Sequence, residues 1–115
     1  NEQEIIELIN AKSFEEVIEF GKILKKLLII TRSEKGSVAI QGQNVIECES
    51  QKNLKIVDLT GAGDLFAAGF LFGITSGRSL EDSGKIGALA AAEIIGHFGA
   101  RPEVSLAQLL LDKGL

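Results

Sequence analysis

Between Asp58 and Phe70 the chain reads D-L-T-G-A-G-D-L-F-A-A-G-F. A glycine-rich turn that opens an apolar helix leaves several backbone N–H groups without intrahelical partners, aimed at one point. The helix dipole adds partial positive charge there, so the turn is a ready anion site. The amides of Gly61, Ala62 and Gly63 are a candidate anion hole, because Gly61 and Gly63 carry no Cβ to hold a phosphate away. Asp64 is the odd residue, since a carboxylate repels a phosphate unless it has a task. The task that fits is general base, taking the proton of a hydroxyl while that oxygen attacks a phosphoryl group held on the same amides. The plainer alternative is that Asp64 caps the helix.

Two further stretches carry weaker signals. Asn1 and Glu4 share a helix face at i and i+3, where an amide and a carboxylate can hold a hydrated Mg²⁺. The same spacing is equally that of an N-cap with its capping-box partner. Thr31-Arg32-Ser33-Glu34-Lys35-Gly36 follows an apolar run, and open α/β sheets place ligands in loops at the carboxyl ends of their strands. The hydroxyls of Thr31 and Ser33 and the backbone of Gly36 can meet a nucleotide there; otherwise the stretch is a polar turn. His97, late in an apolar helix, reads as a packed or C-capping side chain. Cys48, the only cysteine, has no partner for a disulfide or a Cys-based zinc site, and packing is its expected role. No Walker loop, no complete Rossmann fingerprint and no G-x-S-x-G elbow occurs.

These residues need elements to hold them. Ile5, Ile6, Leu8 and Ile9 suggest a short helix over 2–9. Ser13 and Glu16 form a capping-box pair opening a second helix, with Phe14, Val17, Ile18, Gly21 and Leu24 on one face. The unbroken apolar run Leu27 to Thr31 reads as a buried, parallel strand. Residues 37–41 and 44–49 flank Gly42-Gln43 as a hairpin, and residues 54–58 suggest another strand leading into the glycine turn. Helices are expected over about 64–75, from Ser79 to about His97, and from Ser105 to Gly114. Helices alternating with buried strands make the class α/β, with a mostly parallel sheet plus one hairpin.

Composition narrows the function classes. A chain of 115 residues, 45% hydrophobic and 24% charged, supports a single α/β piece over residues 1–115 with an ordinary core. A formal charge of -4 without a Lys/Arg stripe argues against a nucleic-acid partner. No apolar run approaches the roughly 20 residues of a membrane span, so a cytoplasmic protein is expected. The absence of Met, even at position 1, suggests the C-terminal piece of something longer.

In this order, N-x-x-E from Asn1, the T-x-S-x-x-G loop from Thr31 and D-L-T-G-A-G-D-L-F from Asp58 resemble the ribokinase-like, or PfkB, family of sugar and nucleoside kinases. The resemblance runs from Asn1 to the closing helix and leans towards the adenosine-kinase-like members. It implies the C-terminal portion of a three-layer αβα fold, and ATP-dependent phosphoryl transfer to a hydroxymethyl group of a sugar or nucleoside. By that resemblance Asp64 matches the catalytic base, and the amides of Gly61 to Asp64 match the anion hole. Asn1 and Glu4 match an indirect Mg²⁺ site, while Thr31, Ser33, Gly36, Gly63 and Ala88 match positions that meet ATP. Asp58 and Thr60, with carbonyls near Ile94, His97 and Gly99, match the surroundings of a monovalent cation such as K⁺. Leu59, Ser33, Ala88 and Glu103 depart from the usual pattern. An N-terminal part would supply acceptor recognition and a lid through which relatives form homodimers, so the 115-residue piece alone is expected to be inactive. A catalytically silent relative that binds a nucleotide or sugar phosphate is the other reading.

Overall fold

In the computed structural model, which describes residues 1–115, the first unit (Asn1–Ser50) is built on a hairpin. Strands β1 (Leu28–Thr31), β2 (Ser37–Gln41) and β3 (Asn44–Cys48) form a three-stranded sheet in that order, antiparallel throughout. Gln41 pairs with Asn44 across a two-residue loop, and Gly42 at φ +60° supplies the positive φ that a type II′ hairpin needs at its first loop position. The expected hairpin is therefore present. The expected parallel strand is not: β1 pairs antiparallel with β2, Leu28 opposite Ile40 and Ile30 opposite Val38. An unbroken apolar run reports burial rather than strand direction, and the most deeply covered strand here is the central β2, buried from Ser37 to Ile40.

Helices α1 (Glu2–Leu8) and α2 (Phe14–Ile23) supply the rest of this unit's core, where Val17, Ile30, Val38 and Ile40 are buried together. Each such aliphatic side chain contributes roughly 1.5–3 kcal/mol of transfer free energy. Ile5, Ile6 and Phe14 pack against this cluster, as the helical spacing requires. Ser13 caps α2, its Oγ accepting from the Glu16 amide at 3.3 Å. The reciprocal half of the expected box is displaced, for the Glu16 carboxylate accepts from the Lys12 amide at 2.8 Å instead.

The second unit (Gln51–Leu115) is helical, with α3 (Ala62–Thr75), α4 (Leu80–Ile95) and α5 (Leu106–Asp112). Ser79 and Ser105 cap α4 and α5 as their spacing from Asp82 and Gln108 implies. Residues 54–58 form no strand. The amides of Val57 and Asp58 both donate to the Ile95 carbonyl, at 2.8 and 3.3 Å, so the backbone is spent on the end of α4 rather than on a sheet partner.

Small residues set the α3–α4 approach. A Cβ on Gly69 would lie 2.9 Å from Gly87 Cα, and one on Gly87 would lie 2.9 Å from the Phe66 ring and backbone. Phe66 and Phe70 stack with ring centroids 6.1 Å apart. Gly69→Ala is therefore expected to cost about 1–3 kcal/mol through overpacking, read as a lower urea midpoint. An unchanged midpoint would mean the helices separate without penalty. No helix is long and apolar enough to cross a membrane.

Candidate functional site

The second unit carries the glycine turn. Gly61, at φ +84° and ψ 1°, is the N-cap of α3, and a Cβ there would sit 2.9 Å from the Ala100 side chain. A left-handed residue at the helix entrance is what lets the chain turn from Asp58 into the helix, and glycine adopts it without strain. Ala62, Gly63 and Asp64 follow as the first turn. Ala62 does not offer its amide outward, because that N–H donates to the Leu59 carbonyl at 3.2 Å. Among the four amides expected to gather an anion, those of Gly61, Gly63 and Asp64 have no partner within the chain.

Asp64 stands at the third helical position, exposed, and its carboxylate accepts no hydrogen bond and forms no ion pair. It is not the helix cap; Gly61 occupies that position and α3 has no side-chain cap. The arrangement thus places an unengaged carboxylate beside the unpaired amides of Gly61, Gly63 and Asp64 at the positive end of a 14-residue helix. Gly63 is exposed and no atom lies within 4 Å of where its Cβ would be. Nothing in the chain itself demands glycine there.

Asp58 braces the turn from behind. One carboxylate oxygen accepts from the Thr60 amide and the other from the Gly99 amide, both at 3.0 Å. These amides, Gly99 first, hold the Asp58 carboxyl below its ordinary pKa. Asp58, Thr60 and Gly99 are thereby brought together, and each Asp58 oxygen keeps a lone pair beyond the one used. That donor set is compatible with a monovalent cation. Ile94 is fully buried in α4, and His97 lies just past its end. The His97 ring is held by the Phe98 carbonyl at 3.1 Å and by Glu93 Oε1 at 2.9 Å. The Phe98 carbonyl raises its basicity, aided by the Glu93 and Glu103 carboxylates against partial desolvation. Glu93 escaped notice in the sequence, although its i,i+4 spacing to His97 was there to be read. Ala88 is half-buried on α4.

In the first unit a groove of about 520 Å³ runs between α1 and the loop after β1. Asn1, Thr31 and Ser33 line it, as do Glu2, Arg32 and Lys35. Two stretches separated by 30 positions thus line one groove, which Glu4 and Gly36 do not reach. Asn1 and Glu4 form the capping box of α1, with the Glu4 amide donating to Asn1 Oδ1 at 2.9 Å and the Asn1 nitrogen to Glu4 Oε2 at 2.6 Å. No group of three His, Cys, Asp or Glu side chains is placed to hold a metal ion. Asn1 and Glu4 are engaged with each other in this capping box, and the second Glu4 carboxylate oxygen has no partner in the chain.

The loop itself is shaped by backbone geometry. Gly36, at φ +87° and ψ -133°, has no room for a Cβ, which would meet the Cys48 carbonyl oxygen at 2.0 Å. Its glycine is thus explained by the fold of the loop on β3. Ser33 sits at φ +53°, a left-handed conformation that costs a non-glycine residue about 1–2 kcal/mol. Ser33→Gly is accordingly expected to raise stability by about 0.5 kcal/mol, the relieved strain being partly offset by glycine's greater unfolded-state entropy. Chemical denaturation reads this directly, and a fall in midpoint would mean that the Ser33 side chain holds the turn.

Arg32, unremarked in the sequence, joins the two halves of the groove. Its guanidinium donates to both Glu2 oxygens at 3.1 and 3.2 Å and lies 3.8 Å from the centroid of the Phe14 ring. No local spacing could reveal a pair 30 residues apart. A second cavity, about 300 Å³ and apolar, lies among α3, α4 and α5 and contains none of the chemical groups singled out in the sequence.

Comparison with known proteins gives the family and the fold. A profile of pfkB family carbohydrate kinases matches residues 1–106. A cytidine kinase of Thermococcus kodakarensis is 38% identical over 104 residues, covering 86% of this chain and 36% of its own. The crystal structure of adenosine kinase from Sinorhizobium meliloti superposes with a TM-score of 0.93 at 45% identity, over 98% of this chain and 35% of that one. Ribokinase of Arabidopsis thaliana, solved with ribose and ATP, gives a TM-score of 0.81 at 30% identity, over 96% of this chain and 39% of that one. The chain thus has a ribokinase-like α/β fold and spans about a third of the length of the relatives it matches.

Proposed function

The chain belongs to the pfkB family of carbohydrate kinases, and from that premise we propose that the protein carrying it transfers the γ-phosphoryl group of ATP to a hydroxymethyl group of a sugar or nucleoside. The observation that carries this reading is the unengaged Asp64 carboxylate beside the unpaired amides of Gly63 and Asp64 at the start of α3. A carboxylate in that place repels a bound phosphate, and beyond the about 0.3–1 kcal/mol it contributes against the helix dipole, proton removal is the task that suits it.

The acceptor oxygen attacks the γ-phosphorus, its proton passes to the Asp64 carboxylate, and the bond from the γ-phosphorus to the bridging oxygen of ADP breaks. The Gly61, Gly63 and Asp64 amides offset the charge that spreads over the transferring phosphoryl oxygens, which is where most of the acceleration in such a reaction arises. Asp58 keeps the Thr60 and Gly99 segments in place around this turn. In the first unit, Thr31, Ser33 and the groove beside Asn1 are the proposed contacts for the nucleotide. Mg²⁺ bound to the nucleotide would neutralise phosphate charge, with Glu4 facing one of its waters. K⁺ is the proposed occupant near Asp58, Thr60 and the carbonyls around Ile94, His97 and Gly99. Acceptor selection and any homodimer contact are assigned to the rest of the protein, and the 115 residues alone are expected to transfer nothing.

Release of ADP from ATP by the full-length protein, tried across a panel of nucleosides and sugars, tests the reading. Acceptor-dependent ADP release is the expected result. ATP binding with no release for any acceptor would point instead to a silent nucleotide- or sugar-phosphate-binding relative.

A further inference from the structure

The groove of the first unit is bounded by two segments that have no backbone hydrogen bond to each other along its length: the start of α1 and the turn Thr31–Gly36. Beneath the groove Ile5 and Ile6 of α1 pack on the core cluster, and the hydrogen bonds that cross between the two segments are those of one side-chain pair. The Arg32 fork meets both Glu2 oxygens, a planar two-bond geometry that a lysine cannot reproduce. Both side chains are largely withdrawn from water, with 18% and 26% of their surfaces exposed. The Phe14 ring, 3.8 Å beneath the guanidinium, fixes the plane in which that fork opens. Arg32 is also tied through its backbone, since its amide donates to the Gly36 carbonyl at 2.8 Å across the loop. Orientation of the side chain is thereby coupled to the shape of the turn that presents Ser33.

We propose that the Glu2–Arg32 pair, seated on Phe14, is a positioning clamp that fixes the width of the nucleotide groove by holding the Asn1 end of α1 against the Thr31–Ser33 loop. The inference rests on the reading of this groove as the nucleotide site. Arg32 acts through its neighbours: its Nε and one Nη are engaged by Glu2, and Thr31 and Ser33 are the groups it places. Loosening the clamp widens the groove, so the nucleotide loses affinity while acceptor binding, assigned elsewhere in the protein, keeps its strength.

The test is a double-mutant cycle in the full-length protein with E2Q, R32Q and E2Q/R32Q. ATP dissociation constants come from isothermal titration, and KM for the acceptor and kcat from ADP release. The expected result is that each variant, the double included, raises the ATP dissociation constant by about tenfold, with acceptor KM and kcat within about twofold, because coupled neighbours do not add. Unchanged or tighter ATP binding in E2Q overturns the proposal, since it would mean that Arg32, once released, serves ATP as well or better. A lower melting temperature with all binding and kinetic constants unchanged overturns it as well, leaving the pair a brace for folding only. If R32Q does not fold, E2Q alone decides by the same criterion. A wild-type protein that turns over while E2Q binds ATP normally refutes the clamp alone. One that neither binds ATP nor turns over refutes the nucleotide reading itself.

Discussion

Asp64→Asn in the full-length protein is expected to lower kcat by about 10²–10⁴-fold, the range that removal of a positioned general base commonly produces. The ATP dissociation constant should stay within about threefold, because the amides of Gly61 and Gly63 are untouched and asparagine keeps the size of the side chain. Stability should change little. Asp64 forms no hydrogen bond or ion pair, so its structural contribution is limited to the favourable placement of a negative charge in the first turn of α3, about 0.3–1 kcal/mol. Steady-state ADP release, direct ATP titration and a melting curve separate these effects. Turnover within a few-fold of wild type would remove Asp64 from the chemistry and leave it as a dipole-compensating residue of the helix.

Gly36→Ala carries the second large effect, and its reason is different. The glycine adopts φ +87° with ψ -133°, a region essentially closed to residues with a side chain, and the new methyl would overlap the Cys48 carbonyl oxygen at 2.0 Å. Neither can yield cheaply, since the methyl is fixed rigidly by the Gly36 backbone and the oxygen is itself backbone, and the Ser50 amide nitrogen would lie 2.9 Å from the methyl. A loss of at least about 3 kcal/mol is expected, enough to unfold a marginal unit, and urea denaturation measures it. A loss below about 1 kcal/mol accompanied by weakened ATP binding would mean that Gly36 is required by the ligand. The contrast with Gly63 is instructive. That glycine meets no atom of the chain, so the packing of these residues gives no reason for a bare backbone there.

The sequence by itself determined the local features. Ser13, Ser79 and Ser105 mark helix starts because a side-chain oxygen bonding an amide three residues on is a local event. Gly42 marks the hairpin because a two-residue loop dictates its own φ. The D-L-T-G-A-G-D-L-F run pointed to the proposed chemistry, since a turn entering a helix gathers a candidate anion site from consecutive residues. Tertiary structure decided what depends on distant partners. Whether the run ending at Thr31 lies parallel or antiparallel is settled by β2, and whether residues 54–58 form a strand is settled by the carbonyl of Ile95. That the Ala62 amide turns back to Leu59 follows from how Gly61 bends the chain. The Glu2–Arg32 bridge exists only once α1 and β1 are packed together. Short-range hydrogen bonds are written in spacing, whereas a contact across 30 residues is chosen by the core that brings its ends within reach.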